Sequence, residues 1–493
     1  MEDTQARALA TRDWLPADKV WRKARAHRFT PLMENAAYFE ALEAALARAR
    51  RSVIILGWQF DPRTRLDPHS RIGDRQAEIG HRLRLMIKEN PELDVRLLIW
   101  RSPLLIAASQ GFFPQRAQRW FRKRIAEFRL DAPGPLGACH HQKVVVIDDK
   151  LAFVGGGDIS VDRWDSEEHL DGDPRRCLPS GLICSPRHEV MAMFDGPAAH
   201  ALGDLARIRW YRATGERVRL APAAADPWPE HIAPALTDVE IGVARTMPKW
   251  RRRHGADESL RLHLDGIAKA RRLIYMENQY VTSPKIAEAL AKRLAEPDGP
   301  EVVIVTTLQA PSWFDQMTMD TARAEVLHAL EQADVNNRLT AWAPVTEEGG
   351  RIIVHSKVTI IDDQLLRIGS SNLNNRSFGY DSECDVAAAP GPEGEATIRA
   401  FRHRLIGHFL GVDMATYASC EALSASVGEA IATYGGTRMR QLGMQGASRF
   451  ERMVAEFQLG DPSSPADDFR PWKRRRRMKA VPHLSEKSIT SGR

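Results

Sequence analysis

The sequence has no long hydrophobic run. None approaches the roughly 18 consecutive apolar residues that cross a bilayer, so any membrane contact is predicted to be peripheral. Cysteine is scarce: five residues (Cys139, Cys177, Cys184, Cys384 and Cys420), with no C-x-x-C pair among them. That leaves no dithiol motif and predicts reduced thiols in a cytoplasm. The opening stretch MEDTQARALATRDW is acidic and polar, unlike a secretory signal, and again favours a cytoplasmic location. Charge is only mildly one-sided, with a formal net of +6 over 493 residues. Such a surplus leans toward phosphate esters, anionic lipid or nucleic acid and does not choose among them. The remainder, 43% hydrophobic and 27% charged, suits a soluble globular chain of two to four domains.

Against that background one stretch occurs twice. HQKVVVIDDKLAFVGGGDISVD spans 141–162, and HSKVTIIDDQLLRIGSSNLNNR spans 355–376. Each copy opens with His, one residue, Lys, four residues and Asp: His141, Lys143 and Asp148, then His355, Lys357 and Asp362. Each then runs through an apolar segment into a Gly/Ser turn carrying a small polar residue, Asp158 or Asn372. One such triplet is ordinarily a surface or packed-polar feature; two with matched followers, 214 residues apart, mark a site.

The flanking pattern repeats as well. An Ala-rich amphipathic helix from about Glu34 leads to a strand at SVIILGWQFDP, a helix over 76–88, the strand DVRLLIW and a basic helix over 116–128. After the first copy comes a polar loop, Arg163–Gly181, predicted to lie over the site, and residues 217–236 are Ala/Pro-rich and read as a linker. The strand VEIGVARTM then begins a second round: a helix over 259–270, the strand LIYMENQYVTS, a helix over 286–294, the strand EVVIVTT and a helix over 321–332. The fold class is therefore α/β, with two similar halves from an internal duplication, packed about a pseudo-two-fold axis. The predicted boundaries are a leader at 1–33, a first lobe at 34–216, the linker at 217–236, a second lobe at 237–410, a helical extension at 411–470 and a basic disordered tail at 471–493. Within the extension, 414–434 and 450–459 read as helices.

On an extended segment residues i and i+2 share a side, so His141 and Lys143 face one way, as do His355 and Lys357. If the halves meet through their sheets, two imidazoles and two ammoniums converge. Without clustered carboxylates that set suits a phosphate rather than a cation, and a metal-free phosphoryl mechanism follows. One histidine attacks phosphorus to give a phosphohistidine, and the other protonates the leaving alkoxide. Lys143, Lys357 and Asn372 hold the non-bridging oxygens, with Asp158 in the matching position of the first copy. Glu189 (in RHEV) and Glu383 (in DSEC) are candidate orienting carboxylates that split the two imidazole pKa values.

These residues resemble the phospholipase D superfamily with both of its HKD motifs, over roughly residues 35–410. The likeness rests on His141/Lys143/Asp148 with Gly155-Gly156, on His355/Lys357/Asp362 with Gly369-Ser370-x-Asn372, and on IYMENQY and FVGGGDIS…RWD. The resemblance implies a bilobal α/β/α sandwich with mixed sheets, phosphodiester hydrolysis or transphosphatidylation, no cofactor and no metal needed for chemistry. It also implies that Asp148 and Asp362 buttress the strands, and it favours His141 as nucleophile and His355 as acid without ordering them. The first copy departs from Gly-Ser-x-Asn, reading Gly-Gly-Gly-Asp, which tilts toward the lipase branch over cardiolipin synthases and nucleases. The expected substrate is a glycerophospholipid at a membrane surface. Phosphatidyl transfer is the runner-up, a nuclease a lesser alternative, and a non-catalytic membrane-binding module is disfavoured because no triplet member is missing.

Other features have plainer readings. His140, beside His141 and Cys139, reads as a satisfied histidine rather than a metal ligand. Glu277 and Gln279 read as buried hydrogen-bonding residues that fix their strand. The basic runs at 249–254 and 472–477 are candidate contacts for anionic lipid, and Trp313 and Phe314 either touch acyl chains or cap the core.

Overall fold

The apolar runs become strands buried on both faces, as the interior of a mixed sheet requires. The computed structural model describes residues 12–70, 73–102, 114–121, 126–132, 134–135, 137–219, 225–250, 254–443 and 461–462. The first round comprises β1 (Arg22–Met33), α1 (Glu34–Arg48), β2 (Ser52–Gly57), α2 (Ile79–Glu89), β3 (Asp94–Trp100), α3 (Pro114–Phe121), β4 (Glu127–Asp131), β5 (Val144–Ile147), β6 (Leu151–Gly155), β7 (Arg187–His188), β8 (Val190–Asp195) and α4 (Gly196–Thr214). The second comprises β9 (Leu236–Met247), β10 (Ala256–Asp257), α5 (Glu258–Lys269), β11 (Leu273–Asn278), α6 (Pro284–Leu294), β12 (Glu301–Val305), α7 (Thr321–Ala333), β13 (Leu339–Pro344), β14 (Ile353–Val354), β15 (Lys357–Ile361), β16 (Leu365–Gly369), α8 (Asn375–Gly379), β17 (Glu383–Ala389) and α9 (Glu395–Leu410). Two further helices, α10 (Met414–Leu423) and α11 (Val427–Gly435), precede a short strand, β18 (Met439–Gln441).

One 16-stranded sheet runs through the molecule. Read outward from its centre, one half is β1-β8-β6-β5-β2-β3-β4 and the other β9-β17-β16-β15-β11-β12-β13-β18. The same order leaves the centre in both directions, which is the duplication written in strands. The joint is the antiparallel pair of β1 and β9, in register from Arg22 opposite Val243 to Phe29 opposite Leu236.

Helices cover both faces, and residue parity assigns the layers. In β2, Ile54 and Leu56 join a core with Leu202 and Trp210 of α4 that continues into the second half at Phe401 and Phe409 of α9. Val53 and Ile55 face the other way, onto Tyr38, Phe39, Leu42 and Leu46 of α1. Val302 and Ile304 of β12 fill the matching layer of the second half with Leu290 and Leu327. The molecule is thus an α/β/α sandwich in which one layer is shared by both halves.

Several expectations change. Residues 12–33 are no leader: Trp14, Leu15 and Val20 are buried in the second half's core, and β1 sits at the middle of the sheet. Its Arg22-Lys23-Ala24-Arg25 start exposes Lys23 and Arg25 on one face and pairs with β9 alone, β8 joining only from Phe29, so charge hides a central strand. The basic helix ends at Phe121, and Phe128 lies in β4. The extension holds two helices rather than one over 414–434, and β18 adds an antiparallel edge to β13. The helix expected at 450–459 and the tail at 471–493, with its run at 472–477, lie outside the described residues, as do 251–253 of the other basic run.

The repeated aspartates close type I′ hairpins. Asp148-Asp149 and Asp362-Asp363 have φ of 53°, 53°, 54° and 56°, and Lys150 N and Gln364 N return to Ile147 O (3.0 Å) and Ile361 O (2.9 Å). Asp tolerates the left-handed region because its short side chain finds local donors. Here the carboxylates also reach across. Asp148 accepts the amides of Arg50, Arg51 and Ser52 at 2.7–2.8 Å, and Asp362 those of Arg271, Arg272 and Leu273 at 2.7–3.0 Å. Each aspartate therefore fixes the start of the strand beside its own. Asp362→Ala is expected to destabilise by about 2–4 kcal/mol, since three amides lose a charged acceptor. Asp362→Asn, which keeps the turn and one acceptor oxygen, should cost less; urea unfolding midpoints of the two variants check the order.

Candidate active site

His141 and Lys143 lie on the chain leading into β5, while His355 precedes β15 and Lys357 opens it. These two segments are brought together by a short parallel pairing between halves, β7 with β14, in which Val354 stands opposite His188. His355 N donates to His188 O at 2.8 Å and His141 N to Ser382 O at 3.0 Å, so each motif histidine is bonded to the opposite half.

The carboxylates cross over in the same way. His141 Nδ1 donates to Glu383 Oε1 and Oε2 at 3.0 and 2.9 Å. His355 Nδ1 lies 2.6 Å from Glu189 Oε1, at an angle poor for a hydrogen bond. The two imidazoles keep 15% and 10% of their side-chain surface exposed while both glutamates keep none, so the rings face the opening and the acids stand behind. With Nδ1 turned to a carboxylate, Nε2 of each ring is left for the opening.

The lysines tie back to the motif itself: Lys143 Nζ donates to His141 O at 3.1 Å and Lys357 Nζ to His355 O at 2.5 Å. Both are buried. Burial pushes Lys357 down to about 7, with Lys143 adding to the fall against the pull of Glu189. Burial, then Lys143, holds His141 well below the usual imidazole range; burial, then Lys357, does the same to His355. Glu189 is pushed up to about 7 by burial, and Glu383 is raised for the same reason despite its hydroxyl donors. Desolvation thus disfavours the charged forms of His141, His355, Lys357, Glu189 and Glu383, and a bound anion would reverse that on the cationic side.

Behind the histidines the halves differ. Glu383 receives the hydroxyls of Ser370 and Ser377, and the Ser370 hydroxyl also accepts Cys384 N at 3.0 Å. In the first half the position of Ser370 is Gly156, and no hydroxyl reaches Glu189. The reason is space: a Cβ at Gly156 would sit 2.5 Å from Glu189 Oε2 and 2.7 Å from His355 O. The Gly-Gly-Gly-Asp departure is therefore a steric demand of the opposite histidine. Gly156→Ser should push Glu189 off His355 and lower kcat by about 100-fold, while the strain costs about 1–3 kcal/mol. Ser370→Gly, which removes one hydroxyl from an intact Glu383, should keep most of the rate; parallel kinetics and melting curves separate the two.

Asp158, expected among the phosphate ligands, is placed otherwise. Its Oδ1 accepts Trp58 N and Gln59 N at 2.9 and 3.1 Å, and its Oδ2 lies 3.3 Å from Lys143 Nζ. That is the setting of a buttress and counter-ion to the lysine. Asn372 N donates to Ser377 Oγ at 3.0 Å, and its buried Oδ1 has no hydrogen-bond partner. His140 Nδ1 meets Ser382 Oγ at 3.0 Å, while its buried Nε2 has no hydrogen-bond partner, so the expected satisfied histidine is met at one nitrogen only. Glu277, fully buried, accepts from Tyr275 Oη (2.6 Å), His188 Nε2 (2.8 Å) and Ser356 Oγ (2.8 Å) and so fixes its strand. Trp313 is 71% exposed, which excludes capping a core; the Phe314 side chain lies outside the described residues.

The sequence pattern does not single out Ser377, Ser356 or the arginines. Arg163 and Arg187 both contribute positive potential at His355 and Glu189. Arg163 is held by Gln59 Oε1 at 3.1 Å. The RWD and PRHE segments carry these two arginines in plain view, but only the carboxylates beside them draw attention in a search for acid–base groups. The loop 163–181 buries Arg163, Asp165, His169, Asp173 and Arg176, so it is built into the molecule rather than laid over the opening. Among the described residues no helix is long and apolar enough to cross a membrane.

Comparison with known proteins agrees with this architecture. The family described as "Cardiolipin synthase, PLD-like domain" matches residues 264–402, which hold the second motif and Glu383. The chain is 24% identical to phospholipase D2 of Bos taurus over 458 residues, covering 72% of this chain and 48% of that protein. It is 26% identical to cardiolipin synthase A of Pseudomonas putida over 264 residues, 54% of this chain and 44% of that one. The chain thus spans less than half the length of these curated relatives. Among solved structures, phosphatidylserine synthase of Haemophilus influenzae Rd KW20 superposes with a TM-score of 0.52 at 12% identity, over 93% of this chain and 95% of that one. Residues 264–402 thus match a PLD-like domain, and the twin motif histidines drawn together across a mirrored sheet are the residues by which the chain resembles the phospholipase D superfamily.

Proposed function

We propose that this protein is a phospholipase D that hydrolyses the headgroup phosphodiester of glycerophospholipids to phosphatidate through a phosphohistidine. The observation that carries the reading is the crossed pair: two partly exposed imidazoles, each backed by a fully buried glutamate from the opposite half, beside two buried lysines. His141 is the nucleophile. Its Nδ1–H is held by both oxygens of Glu383, itself pinned by Ser370 and Ser377, which fixes Nε2 toward phosphorus. Attack forms the N–P bond and breaks the bond to the headgroup oxygen, which takes a proton from His355. Water then gives that proton back to His355 as it displaces His141, leaving phosphatidate and the free alcohol. Lys143, Lys357 and Asn372 hold the non-bridging oxygens. Glu189 and Glu383 position the rings, and no step calls for a metal.

A peripheral encounter with lipid is supported by large apolar side chains on segments near the site. Trp313, Leu182 and Ile183 are 71%, 68% and 50% exposed. The Cys184 thiol feels Arg187, and Asp315, two residues after Trp313, hydrogen-bonds Tyr280, which in turn feels Arg187. The same intermediate accepts an alcohol in place of water, and the likeness to synthases favours phosphatidyl transfer as the second reading.

The test is headgroup release from liposomes of phosphatidylcholine, phosphatidylethanolamine and phosphatidylglycerol with chelator present. Release of the free alcohol supports the lipase, and diversion of product by a primary alcohol at the expense of phosphatidate supports transfer. Cleavage of single-stranded DNA with no lipid turnover would overturn both.

A further inference from the structure

Behind the proposed catalytic groups lies a second, largely buried cluster that the reaction does not use. Glu34, His169, His188 and His408 each offer one ligand atom, and all four atoms lie within 4.8 Å of one another. They come from distant parts of the chain: Glu34 opens α1, His169 lies within the long loop, His188 follows it in β7, and His408 is near the end of α9 in the other half. The His188 ring makes its closest contact with Glu34 Oε1 through Nδ1; from that oxygen His169 Nε2 is 3.3 Å and His408 Nε2 3.6 Å. The last two separations are close to the roughly 3.4 Å edge of a tetrahedron whose centre is about 2.0–2.1 Å from each ligand, whereas the His188–Glu34 contact is a hydrogen bond that a bound ion would have to open.

The cluster is also unfinished as it stands. Nε2 of His169 and of His408 are buried and make no hydrogen bond. The far side of two of the rings is already committed: His169 Nδ1 donates to Asp165 Oδ2 at 2.8 Å, with Arg176 on that carboxylate, and His188 Nε2 donates to Glu277. On the His408 ring both nitrogens are buried without a hydrogen bond. Carboxylates and carbonyls on the outer nitrogens are what orient imidazoles toward a metal. Two of the four residues, Glu34 at φ 67° and His169 at φ 46°, are held in the left-handed region that non-glycine residues avoid.

The geometry points to a structural divalent transition-metal site, of the zinc class, made by Glu34 Oε1, His169 Nε2, His188 Nδ1 and His408 Nε2. Three imidazoles and one carboxylate suit that class and not calcium or magnesium. All four positions come from protein and none faces solvent, so the ion rivets the long loop to both halves rather than activating water. Its link to the proposed active site is through His188, whose carbonyl accepts His355 N and whose neighbour is Glu189. The site stands on this cluster alone and does not require the lipase reading.

The full-length protein is expected to carry about one zinc per chain by elemental analysis. After stripping with a strong chelator, its melting temperature should fall and be restored by Zn²⁺. Cobalt(II) should give the intense visible absorption of a tetrahedral site. His408→Phe discriminates further. If protons alone hold the cluster, an apolar ring beside Phe409 is neutral or stabilising; if a metal does, the variant loses the ion, the cobalt spectrum and stability. A wild-type chain that binds no Zn²⁺ after stripping, shows no cobalt absorption and melts unchanged, with His408→Phe at least as stable, overturns the site.

Discussion

Replacing His141 or His355 by alanine should lower headgroup release by about 10⁴-fold or more, with the melting temperature nearly unchanged. The chemical half follows from the division of labour, since without the nucleophile no covalent intermediate forms and without the acid the alkoxide leaves unprotonated. The stability half follows from position. Both rings sit at the opening, and Glu383 keeps its two hydroxyl donors when His141 is gone. The double variant should be hardly worse than either single one, because groups that act as a unit lose the whole function at the first removal. Measured turnover within tenfold of wild type in either single variant sinks the two-histidine mechanism. His355→Ala should in addition form phosphoenzyme from substrates with a good leaving group, whereas His141→Ala should not; the reverse result would exchange the two roles.

The largest expected loss of stability lies one layer deeper, at Glu277. Its carboxylate is the shared acceptor of Tyr275, His188 and Ser356, with no exposed surface. Glu277→Ala strands three buried donors at once and should cost about 3–5 kcal/mol, the scale of breaking a buried pair by removing one partner. Glu277→Gln, nearly the same shape, should cost less but not vanish, because an amide cannot accept all three bonds as well as a carboxylate. Urea unfolding followed by far-ultraviolet circular dichroism reads both. A Glu277→Ala chain of wild-type stability with no activity would instead make Glu277 a participant in the chemistry.

The two histidine motifs, the duplication and most strands are legible in the linear sequence because each is local or periodic. A strand buried on both faces, such as β2 or β12, is simply a run of apolar residues. β1 defeats that rule because its first half carries charged side chains while pairing with β9, and only its apolar second half, from Phe29, pairs with β8. β18 is three residues long and takes its meaning only from the neighbouring β13. At the site, both glutamates can be picked out from their place after each copy, but not which histidine each one serves. That pairing is made in space, and it runs opposite to the order along the chain. The Glu34, His169, His188 and His408 group is scattered through the sequence at spacings that match no ligand motif, and only the sheet's closure assembles it.

The exchange of glutamates across the β1–β9 seam bears on how such an enzyme came to be. A half-length chain carrying one motif would have its histidine in hand but its partner acid on another molecule, so it would be inert until two copies met along that strand. Joining the copies into one polypeptide makes the encounter permanent and lifts the requirement that both sides be identical. The unlike residues behind the two imidazoles, a serine on one side and a bare glycine on the other, are the kind of specialisation that only a fused pair can acquire.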